Sequence, residues 1–167
     1  MSAEKQASEM DLHPDLRRER IEWRVQRAGW ALMALLCGLA LAGFIGPGPA
    51  SKKQAGNIGS DLYIEYDRYI RYQAPSTIKV FCRPGSGDHF TLSLDRALIE
   101  HTEIKQIQPE PKETTAAGDQ YVFHFNTVEG PDQLVVFHLE PDGFGAISTA
   151  VTLNGKHSHH IKQFVWP

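Results

Sequence analysis

Eighteen consecutive residues, Ala28 to Ile45, read AGWALMALLCGLALAGFI and contain no charge and no strongly polar group. No other stretch limits the fold of the chain as much. As a helix they measure roughly 27 Å, close to the hydrocarbon thickness of a bilayer. Leu32, Leu35, Leu36, Leu39, Leu41, Phe44 and Ile45 together favour insertion by about 2–4 kcal/mol, with no charge opposing them. The core helix of a soluble domain normally keeps a polar stripe, whereas this stretch is apolar all round. A transmembrane helix is therefore expected over residues 28–45, stopped by Gly46-Pro47-Gly48-Pro49.

The flanks give that helix a direction. Residues 1–27 form a cytoplasmic arm in which six basic and six acidic side chains cancel. Its first ten residues are small, polar and charged, and disorder is expected there. Pro14 then suits the first turn of a juxtamembrane helix that runs on into the span. Five arginines, Arg17 to Arg27, precede the span closely, and only Lys52 and Lys53 follow it closely. The positive-inside rule then keeps the N-terminus in the cytoplasm and exports the C-terminal part. Gly48 and Ala50 would permit cleavage before Ser51. The long leader and long apolar region instead favour an uncleaved signal anchor.

Residues 46–60 (GPGPASKKQAGNIGS) read as a Gly/Pro linker. From residue 61 to 167 the texture changes to short alternating runs split by turn signals such as Gly118-Asp119, Asp142-Gly143 and Asn154-Gly155. Seven or eight strands result, and the expected ectodomain is a small antiparallel immunoglobulin-like β-sandwich. The tyrosines at 63, 66, 69 and 72 recur every three residues, which fits a strand with a bulge near Asp67-Arg68. Asp95 to Glu100 reads as a short helical turn, and Pro109 to Gly118 as a mobile polar loop. Residues 51–167 hold eleven basic and fourteen acidic side chains. That excess of acid excludes nucleic acid as a partner. The overall mean hydropathy of −0.34 averages an apolar anchor with a polar domain. Cys37 in the span and Cys82 in the domain cannot pair, so no disulfide staples the fold.

Few residues suggest chemistry. His157, His159 and His160 form HSHH after a hairpin turn, and the first and last-but-one share a strand face. They are weak metal candidates that lack an adjacent Cys or carboxylate at ligand spacing. A two-residue turn at Asn154-Gly155 would pair apolar with polar residues, so a longer turn is expected. Arg83 to His89 contains Ser, Asp and His, but neighbours in one Gly-rich hairpin loop do not assemble a triad. No catalytic residue and no cofactor is expected. His124 and His138 read as satisfied sheet residues, and Cys82 as a buried, inert thiol on the Ile78/Val80 face. The four tyrosines are either packing residues or a contact strip. In the span, Ala34, Gly38 and Ala42 recur every fourth residue and offer a face for close helix approach.

An Arg-rich arm, one apolar span and an exported strand-rich domain resemble the uncharacterised short single-pass bacterial envelope proteins with a signal-anchor helix and a small sandwich ectodomain. The resemblance covers the architecture and transfers no site residue. It implies residence in the bacterial inner membrane and a non-catalytic accessory role beside a larger membrane protein. The expected partners are the lipid bilayer and an integral membrane protein or a second copy, met through the span. The alternatives are a metal-binding envelope protein using the histidine cluster and an envelope enzyme whose site only folding could assemble.

Overall fold

The computed structural model describes residues 16–44, 48–85, 87–128, 130 and 132–167. The disorder expected over residues 1–10 and the Ser86 of the Gly-rich loop lie outside them. The chain divides into two compact units, residues 1–38 and 39–167.

Helix α1 runs from Leu16 to Ala42 without a break. The segment Arg20–Ala42 is long and apolar enough to cross a membrane, and no residue of its apolar window is buried. Its leucines from Leu32 to Leu41 stand in the open, with Leu41 84% exposed. The helix ends earlier than expected. Gly43 adopts φ +87°, its N–H donates to the Ala40 carbonyl (3.0 Å), and the Phe44 N–H donates to that of Leu39 (3.1 Å). This pair of bonds is a Schellman cap, which favours a residue without a Cβ. A Cβ on Gly43 would also stand 2.6 Å from the Cα of Gly48. The uncharged helical stretch from Ala28 to Ala42 is then only about 22 Å long, so the charge-bearing turns before it must complete any crossing.

Among the described residues, eleven strands form two sheets. In chain order they are β1 (Lys52–Ala55), β2 (Leu62–Asp67), β3 (Tyr69–Arg71), β4 (Ser76–Cys82), β5 (His89–Asp95), β6 (Thr102–Gln108), β7 (Glu113–Ala117), β8 (Gln120–Asn126), β9 (Gln133–Pro141), β10 (Gly145–Leu153) and β11 (His157–Trp166). Five make one sheet in the order β1-β2-β4-β9-β6, and six make the other in the order β3-β11-β10-β5-β8-β7. Every pairing is antiparallel except β3 with β11, which is parallel. The mainly β architecture behind an apolar helix is as the sequence implies.

Period-two alternation places Ile64, Ile78, Val80, Val135 and Phe137 of one sheet against Leu92, Phe123, Val151, Ile161 and Val165 of the other. Phe123 and Phe137 meet edge to face with ring centres 5.6 Å apart, which joins the sheets at their middle. Each such side chain contributes roughly 1.5–3 kcal/mol by leaving water. Cys82 is buried in the same layer.

Several expectations change in detail. The stretch read as a linker over 46–60 holds β1, paired with β2 from Lys52↔Asp67 to Ala55↔Ile64, so the sheet starts at Lys52 rather than at residue 61. The bulge expected near Asp67-Arg68 is a switch of sheets: β2 belongs to one and β3 to the other. The Arg83–His89 segment is not a hairpin loop, because β4 and β5 also lie in different sheets. The polar loop over 109–118 contains β7, paired with β8. The helical turn after Asp95 is present as α2, Arg96–Glu100. Asp95 leaves the helix start uncapped by its side chain and instead accepts hydrogen bonds from Ala150 N (2.6 Å) and Gln120 Nε2 (3.1 Å).

Candidate functional site

Where alternation sends Ile64, Val80 and Val135 inward, it sends Tyr63, Phe81 and Leu134 outward. Register aligns Tyr63 with Phe81 and Phe81 with Leu134, so three apolar side chains cross three strands in one row. Tyr63 and Phe81 lie with ring centres 5.6 Å apart. Tyr63 is only 7% exposed although it stands outside the core, while Leu134 is 45% exposed. The turn between β1 and β2 forms one wall. There the Ser60 hydroxyl is 2.7 Å from the carbonyls of both Asn57 and Leu62, and Ile58 projects with 83% of its surface exposed.

The hollow so formed holds about 410 Å³, and its lining includes Gln54, Ile58, Tyr63, Glu65, Phe81 and Arg83. Two pairs of its polar side chains satisfy one another. The Tyr63 hydroxyl donates to Glu65 Oε1 at 3.0 Å. Burial first, then that hydrogen bond and the Glu65 charge, push the phenol above its usual 10.0. Arg83 donates through Nε and Nη2 to Asp132 Oδ1 at 2.9 and 2.7 Å. That pair is exposed and adds little stability; it gives the hollow a polar rim. A partly apolar floor with a paired, neutralised rim can receive an apolar side chain of a partner. Tyr63 is made harder to ionise and so is not activated as a nucleophile.

The residues singled out from sequence fare differently. His157 and His159 do share a face: the three-residue turn Asn154–Lys156 sets Leu153 opposite His157 and Val151 opposite His159. His157 Nε2 lies 3.4 Å from Asp61 Oδ2, and the His159 ring packs where a Cβ on Gly56 would fall. His160 points to the other face of the sheet, beside Ala150. Among the described residues no group of three or more His, Cys, Asp or Glu is disposed to hold a metal ion. His124 is satisfied by the Thr115 hydroxyl at 3.1 Å. The tyrosines do not form one strip. Tyr63 is on the outside of the five-stranded sheet, and Tyr69 lies in β3 of the other. Tyr72 meets Phe144 at a tilt of 40°, with ring centres 4.5 Å apart.

Ala34 and Gly38 are exposed on α1, Ala42 is half-buried, and nothing lies within 4 Å of a Cβ built on Gly38. Cys37 is also exposed there.

Sequence reasoning missed the hollow. The signal was present as large apolar residues in the polar phase of alternating strands, Phe81 between Lys79 and Arg83 above all. No protein-family model matches the chain, and no curated protein matches its sequence.

Proposed function

We propose that the protein is a single-pass anchor of the bacterial inner membrane, with its N-terminus in the cytoplasm, that holds a non-catalytic β-sandwich outside to bind an integral membrane protein. The observation that carries this reading is an apolar helix of membrane length with no buried residue in its apolar window. In water, leaving such side chains exposed would cost roughly 1.5–3 kcal/mol each. The arginines before the helix favour the stated orientation.

A binding role, rather than a catalytic one, is supported by the Tyr63–Glu65 and Arg83–Asp132 pairs around the Tyr63–Phe81 hollow, by the exposed Ile58 in its lining, and by the exposed Leu134 beside Phe81 in the same cross-strand row. An accessory subunit needs an anchor and an adhesive face, and the chain offers both. The test is a photo-crosslinking amino acid placed at Ile58, at Leu134 and, as control, at Lys156, with the chain in its native membrane. Crosslinking of one same integral membrane protein from Ile58 and Leu134, but not from Lys156, is expected. Equal or absent crosslinking from all three positions would refute the interaction role.

A further inference from the structure

A second face of the sandwich has large apolar residues in its outward phase. On β11, Ile161, Gln163 and Val165 are buried, and Lys162, Phe164 and Trp166 point outward. Parallel pairing sets Phe164 beside Tyr69 and Trp166 beside Arg71. Phe164 and Trp166 meet edge to face at 4.9 Å, and each remains 36% exposed. The Arg68 guanidinium stands 5.5 Å from the centre of the Tyr69 ring. The Tyr69 ring in turn lies 6.2 Å from that of Phe44.

Phe44 is the second residue past the end of α1, which chain geometry keeps within roughly 7–8 Å of the helix terminus. We infer that this aromatic and basic face of β3 and β11 rests on the bilayer that α1 crosses, in contact with anionic lipid headgroups. The inference depends on the anchor reading given above. Given an anchor, Phe44 lies at the water–lipid boundary, and the ring pair Phe44–Tyr69 brings the β3 edge there with it. Trp and Tyr rings beside Lys and Arg form the chemistry of membrane interfaces, with rings at headgroup depth and cations against anionic lipid.

Charge complementarity is marked. Strands β3, β10 and β11 contain no carboxylate at all, in a domain whose acidic residues outnumber its basic ones. Arg68, Arg71 and Lys162 are exposed, and none forms an ion pair among the described residues. An anionic headgroup surface accounts for this absence of acid.

The test uses the full chain in nanodiscs. Trp23→Phe with Trp30→Phe leaves Trp166 as the sole tryptophan. With about one third phosphatidylglycerol in the disc, headgroup-nitroxide lipid should quench at least about half of its emission, and acrylamide should quench it weakly. Arg68→Glu, Arg71→Glu and Lys162→Glu together, all exposed positions, should cut the lipid quenching at least about twofold, as should neutral lipid. Alkaline carbonate extraction of native membranes reports the anchor separately. Carbonate-resistant protein whose Trp166 is quenched by acrylamide and not by the lipid nitroxide would overturn the inference and leave the anchor standing. Carbonate-soluble protein would overturn the anchor, and the inference with it.

Discussion

Helix α1 and the β-sandwich use the same apolar residue types in opposite ways. In the sandwich Ile64, Val80 and Leu92 are wholly shielded, and the charged residues face out. On α1, Leu32, Leu35, Leu36, Leu39 and Leu41 are all exposed, and no residue of the apolar window is buried. The difference is what two different solvents would impose, as the proposed anchor requires. A sheet that must exclude water alternates, whereas a helix placed in lipid would have nothing to hide and could lose its amphipathic stripe.

Paired charge substitutions should separate the two parts most strongly. Val80→Asp puts a carboxylate into the core and should cost more than about 4 kcal/mol. The domain should lose its cooperative thermal transition while the chain stays in the membrane fraction. Leu35→Asp, at mid-helix, should penalise insertion by roughly 2.5–3.5 kcal/mol. It should shift protein out of carbonate-resistant membranes and leave domain melting unchanged. If both variants produced the same defect, the division into two solvents would fail.

Smaller changes refine the contrast. Phe137→Ala removes the ring that joins the sheets and should destabilise the domain by about 3–5 kcal/mol. A lowered urea midpoint, with membrane extraction unaltered, would show it. Deleting residues 48–60 removes β1 and the buried Ser51, whose hydroxyl lies 2.9 Å from both the Tyr69 carbonyl and the Tyr69 N–H. A loss of about 2–4 kcal/mol is expected from the broken ladder, where a true linker would cost nothing.

Cys82 gives a pH-dependent handle. Burial pushes its thiol from 9.0 up to about 12. The folded state therefore holds this proton more tightly than the unfolded state. The resulting stability is present below about pH 9 and is lost as pH rises towards about 12. Urea midpoints measured across that range should fall more steeply for the parent than for Cys82→Ala. On α1 the smallest effect is expected: Gly38→Leu should weaken crosslinking between spans and leave insertion intact, whereas Leu36→Ile should change neither.

The central strands and the helix were readable because burial imposes a period on them. Ile78, Val80 and Cys82 announce β4, as Phe90, Leu92 and Leu94 announce β5. The strands missed or misjudged, β1, β3 and β7, are all sheet edges. An edge strand buries little: KKQA of β1 and ETTAA of β7 contain no buried residue, and each has one half-buried position. Lysines on an edge also guard it against unwanted pairing, which makes it resemble a linker. Sheet switching at Arg68 and over 83–88 was equally hidden, because local alternation does not say which sheet a strand joins. The helix stop at Gly43 was legible in principle as a glycine cap, but the apolar Phe44 and Ile45 beyond it masked the boundary. Both outward faces had the same overlooked mark, aromatic side chains in the polar phase, at Phe81 and at Phe164 and Trp166.

The anchor with an exported domain is tested most directly by labelling a single cysteine from outside. In a Cys37→Ser, Cys82→Ala background, Ile58→Cys occupies a position with 83% of its surface exposed, and Glu22→Cys provides the opposite side. A membrane-impermeant maleimide applied to intact spheroplasts should label Ile58→Cys and reach Glu22→Cys only after lysis. Labelling of Glu22→Cys in intact spheroplasts, with Ile58→Cys reactive only after lysis, would contradict the exported domain.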